Sequence, residues 1–243
     1  SIGTFEKLDT NTIPYPILYV TSVLDMASLD LDLYVRTDYQ LYRYAFNYTS
    51  KQWTTELDQV DVRGYAPRLI AGGYDSIIIV PSREDKMFLL ESNSDNITEY
   101  NTGELEATDI IDVGFTSSST IVLLNNGEIW VWEDITEAPT LLAVPKEFQL
   151  NFTSFSSHYM EDTFVAISNS GIAIRQIITE ETQDIAVLPM VNLEDDDEFK
   201  EVEKGIYHTL ALTKSGKIYG LGSNFMLEVY NDIQGFIWKQ YAL

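Results

Sequence analysis

The sequence contains two histidines, His158 and His208, and no cysteine that could act as a nucleophile or zinc ligand. A serine–histidine–aspartate triad needs a histidine held beside a serine, and zinc sites are built mainly from histidine and cysteine. His208 falls within a strand-like run, and His158 falls in the loop 156–162. We therefore predict no catalytic residue, no metal site and no cofactor, and a protein that is not an enzyme.

Two further patterns could bind a ligand but lack the required spacing. Five consecutive acids, Glu194–Glu198, could bind a divalent cation or a basic partner. The run has no turn glycine and no alternation of ligands, so it does not match a calcium loop and is predicted to be a solvated, mobile loop. Gly220-Leu221-Gly222 lacks the third glycine of a dinucleotide-binding loop, which argues against a nucleotide site.

The balance of charge restricts the class of partner. The chain has 15 basic and 38 acidic residues, and its net charge is −23. Nucleic acids and anionic membranes are both bound through clustered cationic side chains, so neither is predicted as a partner. A protein with a basic or mixed-charge surface fits this charge. Because the sequence also has no cysteine, no N-terminal signal pattern and no apolar run of about 20 residues, it predicts a cytoplasmic and/or nuclear protein.

The elements that would position a site recur along the chain. Hairpins are predicted around five turn positions that are 46, 42, 44 and 45 residues apart: Tyr39, Asp85, Gly127, Gly171 and Gly216. A period in the forties with several strands per unit is typical of a β-propeller, although a β-sandwich with evenly spaced hairpins would give a similar pattern. We predict an all-β fold, a β-propeller of short antiparallel four-stranded blades, with five to seven blades and a repeat of about 44 residues.

These repeats predict a single propeller domain over residues 1–243. The repeats lie around residues 14–46, 60–93, 105–133, 148–176 and 196–224, with 225–243 as a closing segment. Because the chain begins at Ser1 and not at a methionine, we expect it to be a fragment of a longer protein.

The last repeat carries the most specific signal. The segment Val202–Asn224 resembles the repeat of the regulator of chromosome condensation family, and the other four units match it by pattern and spacing. The matching residues are Val202, Gly205, His208, Thr209, Leu210, Ala211, Leu212, Thr213, Gly216, Tyr219, Gly222 and Asn224. The resemblance implies a propeller in which His208 packs and hydrogen-bonds within its blade and does not act in catalysis.

Three functions follow from this resemblance. The founding member of the family is a guanine-nucleotide exchange factor for a small nuclear GTPase. Related propellers in fungal F-box proteins capture substrates for ubiquitylation, and a small stand-alone propeller acts with a zinc-binding partner in tRNA modification and diphthamide synthesis. The degenerate repeats and the expected fragment favour the substrate-recognition domain of an F-box receptor, which would contact a ubiquitin-ligase adaptor through an N-terminal region outside this chain.

A candidate partner-binding surface follows from the architecture. Loops that follow the first strand of each repeat recur on one face of a propeller, so aromatic and acidic residues in them are predicted to form one rim. Aromatic side chains anchor protein interfaces, and acids steer a basic partner. The predicted site residues are Tyr74, Asp75, Phe115, His158, Tyr159, Glu161, Asp162 and Tyr207.

Overall fold

The computed structural model is built almost entirely of short β-strands. It describes residues 13–25, 30–47, 52–53, 58–92, 94, 96–143, 151–171, 173–178, 183–188, 197–206, 208–222 and 239–241. The chain divides into two compact units, Ser1–Thr98 and Glu99–Leu243. Within the described ranges, no helix has the length and apolar character needed to cross a bilayer.

The first unit contains two antiparallel sheets. Sheet I is formed by β1 (Tyr19–Asp25), β2 (Asp30–Arg36), β3 (Leu41–Asn47), β4 (Gln52–Trp53) and β5 (Asp58–Val60). Sheet II is formed by β6 (Pro67–Gly72), β7 (Ser76–Pro81), β8 (Phe88–Glu91) and β9 (Ile97–Glu99). Sheet I departs from the predicted four strands because β4 pairs with one end of β3 and β5 pairs with the other.

The second unit contains three sheets, each an antiparallel meander of four strands in chain order. Sheet III is formed by β10 (Ile110–Phe115), β11 (Thr120–Leu124), β12 (Ile129–Trp132) and β13 (Thr140–Leu141). Sheet IV is formed by β14 (Phe152–Ser157), β15 (Thr163–Ser168), β16 (Ala173–Ile178) and β17 (Gln183–Val187). Sheet V is formed by β18 (Phe199–Lys204), β19 (His208–Thr213), β20 (Ile218–Gly222) and β21 (Lys239–Tyr241). The predicted all-β fold with short four-stranded antiparallel blades is confirmed.

A β-bulge recurs in the first strand of four sheets. The register between the first two strands shifts at Arg68, Ile111, Thr153 and Lys200. A bulge inserts one residue and increases the local twist, so it re-aims the side chains that follow it. The four bulge residues share no chemical type, which explains why the sequence pattern did not reveal this feature.

The cores lie between neighbouring sheets. Every residue of β11 and β15 is buried, so these strands have no polar face and their sequences do not alternate. Between sheets III and IV, Phe155 and Phe164 pack edge to face with ring centroids 6.2 Å apart, against buried residues of β11 such as Ile121. Packing of this kind on both sides of a sheet holds the short strands together.

Two equivalent turn glycines differ in whether they contact the next sheet. Gly127, between β11 and β12, has a φ of +86°, and its carbonyl accepts a hydrogen bond of 2.9 Å from the backbone N–H of Phe152 in the next sheet. A Cβ atom at Gly127 would lie 2.8 Å from the Cβ of Asn151 and 3.0 Å from the nitrogen of Phe152. Gly216 occupies the corresponding turn of sheet V with the same φ of +86°, but nothing lies within 4 Å of a Cβ there.

We expect Gly127→Ala to destabilise the protein more than Gly216→Ala. Both substitutions place alanine at the same unfavourable φ, which costs about 1–2 kcal/mol. Only the first also forces overlap with the backbone of β14, which adds about 1–3 kcal/mol. Urea denaturation followed by circular dichroism would measure both. Equal losses of stability for the two variants would show that the turn at Gly127 does not pack against the next sheet.

Candidate functional site

The loop between β14 and β15, residues His158–Asp162, forms a closed turn. The backbone N–H of Glu161 donates to the carbonyl of His158 at 3.0 Å, and the N–H of Met160 donates to Nδ1 of His158 at 3.2 Å. The rings of His158 and Tyr159 stack with centroids 4.6 Å apart. Burial lowers the pKa of His158, and the nearby Lys204 and His208 lower it further. The neutral imidazole therefore accepts at Nδ1 and holds the turn closed at neutral pH.

Hydrogen bonds tie this loop to the loop between β10 and β11. The backbone N–H of Ser117 donates to the carbonyl of Glu161 at 3.0 Å, and the Ser117 hydroxyl donates to the carboxylate of Asp162. The N–H of Thr116 donates to the carbonyl of Ser119 at 2.9 Å, so the second loop is itself a closed turn. Two turns from neighbouring sheets are therefore held as one surface.

A buried lysine fixes the loop from the other side. Nζ of Lys204, at the end of β18, lies 3.9 Å from the carboxylate of Glu161 and donates to the carbonyl of Gly205 at 3.1 Å. The Lys204 side chain is 6% exposed and that of Glu161 is 28% exposed. The ion pair is thus partly shielded from water and is screened by salt less than a surface pair.

A hydroxyl below the loop joins the first strands of sheets IV and V. Oγ of Ser156 accepts a hydrogen bond of 2.9 Å from the backbone N–H of Lys204 and donates to the carboxylate of Glu203 at 3.3 Å. In the first unit the hydroxyl of Thr21 accepts from the backbone N–H of Gly72 in the same way, also at 2.9 Å. In both pairs of sheets this contact joins one first strand to the next.

The two tied turns present apolar and acidic groups to solvent. The side chain of Met160 is 45% exposed, and Asp162 is exposed. Phe115, Tyr159 and Glu161 are half-buried beside them. Aromatic residues supply large contact areas at interfaces, and methionine adapts to irregular partners. The arrangement can form an apolar contact and place acids beside it.

The structure places most of the predicted site residues in the second unit. Phe115 ends β10, and His158, Tyr159, Glu161 and Asp162 lie in the loop that Ser117 ties to that strand's end. Tyr207 lies outside the described residues.

Two of the predicted residues belong to the first unit. Tyr74 is exposed, and Asp75 has a positive φ of +55°, with its carbonyl accepting the backbone N–H of Ser92 at 2.8 Å. Both lie in the turn between β6 and β7.

Sequence reasoning missed Ser117, Ser156 and Lys204. The two serines act through contacts about 45 residues away along the chain, and nothing local distinguishes them from other serines. A signal did exist for Lys204, since it is one of only 15 basic residues and directly precedes Gly205 of the repeat motif. A single cation at that point of an acidic rim indicates a carboxylate partner.

His208 packs against the glycine that starts its repeat motif. The backbone N–H of Gly205 donates to the carbonyl of His208 at 2.8 Å, and a Cβ at Gly205 would lie 2.5 Å from the imidazole Cε1. Glycine at 205 therefore leaves room for the ring. This is the packing role that the family resemblance implied.

The end of the acidic run is bound to the protein. Residues 194–196 lie outside the described residues, but Asp197 and Glu198 are half-buried. Asp197 accepts the hydroxyl of Ser215 at 2.7 Å, and Glu198 pairs with Lys214 at 2.5 Å. These two side chains are thus held by the β19–β20 turn, which supplies a cation and a hydroxyl, while the Glu198 side chain stays 39% exposed to solvent. In the part of the chain that the structure describes, no three His, Asp or Glu side chains are grouped to hold a metal ion.

Comparison with solved structures identifies the fold. Human WBSCR16 superposes with a TM-score of 0.70 at 12% identity, covering 94% of this chain and 67% of that one. Prp20p, the RCC1 of Saccharomyces cerevisiae, superposes with a TM-score of 0.54 at 13% identity. The match covers 79% of this chain and 56% of the Prp20p chain. YCF48 of Cyanidioschyzon merolae gives 0.59 at 9% identity, covering 94% and 73%.

These similarities confirm the predicted β-propeller fold. The chain spans just over half the length of the yeast protein and about two thirds of the human one. The sequence matches no protein-family model and no curated protein sequence.

Proposed function

We propose that this chain is a non-catalytic protein-recognition propeller, and that it is the substrate-recognition domain of a ubiquitin-ligase receptor of the F-box type. The observation that supports recognition most directly is the pair of tied turns that carries Met160 and Asp162. A loop held in one conformation before binding loses little conformational entropy when a partner docks. The turns offer apolar contact area and negative charge to a partner.

The chemistry of the surface favours a partner with basic and apolar residues. Met160 and Tyr159 offer apolar contact, and Asp162 lies next to them on the same loop. The net charge of −23 would speed the approach of a basic partner over long distances. Association should therefore weaken as salt rises, and binding that is independent of salt would assign the charge to solubility alone.

The receptor proposal is tested with the full-length protein in its own cells. Affinity-tagged protein should co-purify with a Skp-type adaptor and other ubiquitin-ligase subunits. Absence of every such subunit would overturn the receptor proposal while leaving protein recognition open.

Replacing Tyr159 and Met160 together with alanine should release the substrate and keep the adaptor. The two side chains provide the apolar contact of the tied turns, and loss of such an anchor costs about 2 kcal/mol or more, which corresponds to a loss of affinity of about thirtyfold. Quantitative mass spectrometry of the captured proteins would measure both the substrate and the adaptor. Leu141→Ala removes a side chain of matched exposure (46%, against 45% for Met160) and should change neither. If both variants lose substrate equally, the tied turns do not bind it.

A guanine-nucleotide exchange factor is the second candidate. The fold similarity to Prp20p, a protein studied for its binding to Gsp1p and histones, favours it. Release of a labelled guanine nucleotide from a small GTPase decides the matter, because an exchange factor accelerates release at substoichiometric amounts. No acceleration at a one-to-one ratio would end this alternative.

A further inference from the structure

One imidazole ring closes the loop His158–Asp162, and this ring can take up a proton. The backbone N–H of Met160 donates to Nδ1 of His158 at 3.2 Å, so in the closed turn this nitrogen accepts and carries no hydrogen. Asparagine and aspartate close turns in the same way, by accepting from the backbone N–H two residues on. His158 therefore takes the place of such a residue, but its side chain titrates near neutral pH.

Sheet V presents charged and titratable groups to this ring. Burial lowers the pKa of His158 most, and Lys204 of β18 and His208 of β19 lower it further. The carboxylate of Glu203, also in β18, accepts a hydrogen bond of 3.3 Å from the hydroxyl of Ser156, two residues before His158. The surroundings on this side therefore favour the neutral imidazole.

The titratable groups of the loop itself are engaged with other partners. The carboxylate of Glu161 lies 3.9 Å from Nζ of Lys204, and the carboxylate of Asp162 accepts from the hydroxyl of Ser117. The ring of Tyr159 stacks on the imidazole with centroids 4.6 Å apart. A protonated His158 can therefore gain a carboxylate of its own loop only by drawing Glu161 from Lys204 or Asp162 from Ser117.

Protonation removes the hydrogen bond that closes the turn. A hydrogen on Nδ1 faces the N–H of Met160, so two donors oppose each other, and the new charge lies near Lys204. The closed turn also holds the carbonyl of Glu161 where it accepts the N–H of Ser117 at 3.0 Å. Opening of the turn therefore weakens the tie between the loops of sheets III and IV.

We propose that His158 is a pH-sensitive switch in the tied turns: the neutral ring holds them closed, and a proton on Nδ1 opens them and weakens the binding of a partner. The loss of affinity follows because an open loop must be ordered again when a partner docks. The lowered pKa of His158 fixes the direction, since the closed turn is favoured above about pH 6.5, the ordinary value for imidazole, and loses this support as pH falls below it. Opening of the turn stands on the hydrogen bonds of the loop, whereas the effect on a partner rests on the recognition function proposed above.

Amide exchange in the intact chain tests the switch without a partner. NMR compares the exchange rates of the Met160 and Ser117 amides with those of an unstructured chain at the same pH, which gives a protection factor for each. Between pH 7 and pH 5 both factors should fall about fivefold or more, with an upper limit of about 25-fold if the open turn has an imidazole of ordinary pKa. The chain has two histidines, so one substitution assigns their ring signals, and the ring of His158 should titrate below about pH 6.5 in parallel with the loss of protection.

Two variants assign the effect to His158. His158→Asn places an amide oxygen where Nδ1 lies and closes the turn without a titratable group, so protection at Met160 should be the same at pH 7 and pH 5. Asp112→Asn is the matched control, because burial raises the pKa of Asp112 in sheet III to about 6, and its replacement should leave the fall in protection unchanged. Circular dichroism checks that each protein is folded at both pH values. Protection that does not fall in the wild type, that falls equally in His158→Asn, or that stops falling in Asp112→Asn would overturn the proposal.

A wash at low pH extends the test to a partner. The probes are the proteins that the full-length protein captures at pH 7 and that the variant with Tyr159→Ala and Met160→Ala does not. A wash at pH 5 should release about fivefold more of them from the wild type than from His158→Asn, in line with the loss of protection. Equal release from both would overturn the effect on a partner. Capture of no protein through Tyr159 and Met160 would instead contradict the recognition function, and the exchange measurements would still decide whether His158 opens the turn.

Discussion

Replacing Trp132 with alanine is expected to lower the free energy of unfolding by about 3–5 kcal/mol, the range for removing a large aromatic side chain from a core. Trp132 is 1% exposed, and its indole N–H donates to the carbonyl of Asn101 at 2.9 Å. Its ring meets that of Tyr100 edge to face with centroids 5.6 Å apart, and the hydroxyl of Tyr100 hydrogen-bonds Thr120 at 2.9 Å. The substitution therefore leaves a cavity and a carbonyl without its donor. Urea denaturation followed by circular dichroism would measure the loss.

The same strand provides a control. Trp130 is half-buried and its indole N–H donates to the carboxylate of Glu128 at 3.2 Å, so Trp130→Ala should cost about 1 kcal/mol or less. Trp132→Phe separates the two effects at the buried position, because it keeps most of the apolar volume and removes the donor. It should cost about 1–3 kcal/mol. Similar losses for Trp130→Ala and Trp132→Ala would mean that β12 is not buried as described.

Local chemistry explains why the hairpins could be read from the sequence. A turn such as Asn125-Asn126-Gly127 needs a residue at positive φ, and glycine accepts that conformation. Strands such as β11 and β15 are apolar throughout because both of their faces are buried. The turn and strand signals lie within ten residues of each other, so they needed no knowledge of distant contacts.

The features that the sequence did not predict depend on distant or chemically varied residues. The bulge in the first strands is occupied by Arg68, Ile111, Thr153 and Lys200, and no residue preference marks it. Sheet I has a fifth strand because β4 and β5 pair with opposite ends of β3.

The candidate site was predicted only in part. The loop His158–Asp162 could be identified from its aromatic and acidic composition. Its conformation could not, because it is fixed by Ser117 and Lys204, which lie more than 40 residues away on either side. Sequence patterns of short range cannot report such contacts. The sequence patterns identified candidate site residues, but they did not show which of these residues contact one another.

Asp112 should make the protein less stable as pH rises from about 4 to about 6. Burial raises the pKa of Asp112 to about 6, the negative charge of Glu203 adds to this, and a hydrogen bond of 2.9 Å from the N–H of Val113 opposes it. In that window the folded protein keeps a proton that the unfolded chain releases, so stability falls as pH rises through it. Two pKa units correspond to at most about 3 kcal/mol.

Asp112→Asn isolates this contribution from that of the other 37 acids. Asparagine is neutral and can still accept from Val113 through its amide oxygen, so the variant should be more stable than the wild type at pH 7 by up to about 3 kcal/mol and equal to it near pH 4. Asp134→Asn is the control of opposite sign. The N–H and hydroxyl of Thr136 lower the pKa of Asp134, which is fully exposed, so its loss should slightly reduce stability at pH 7.

Urea denaturation at each pH measures both variants. A stability difference between Asp112→Asn and the wild type that does not change between pH 4 and pH 7 would refute a buried carboxyl beside Glu203. A difference that grows with pH would show that the ionised Asp112, in the first strand of sheet III, lowers the stability of the protein. Part of the net charge of −23 would then be destabilising.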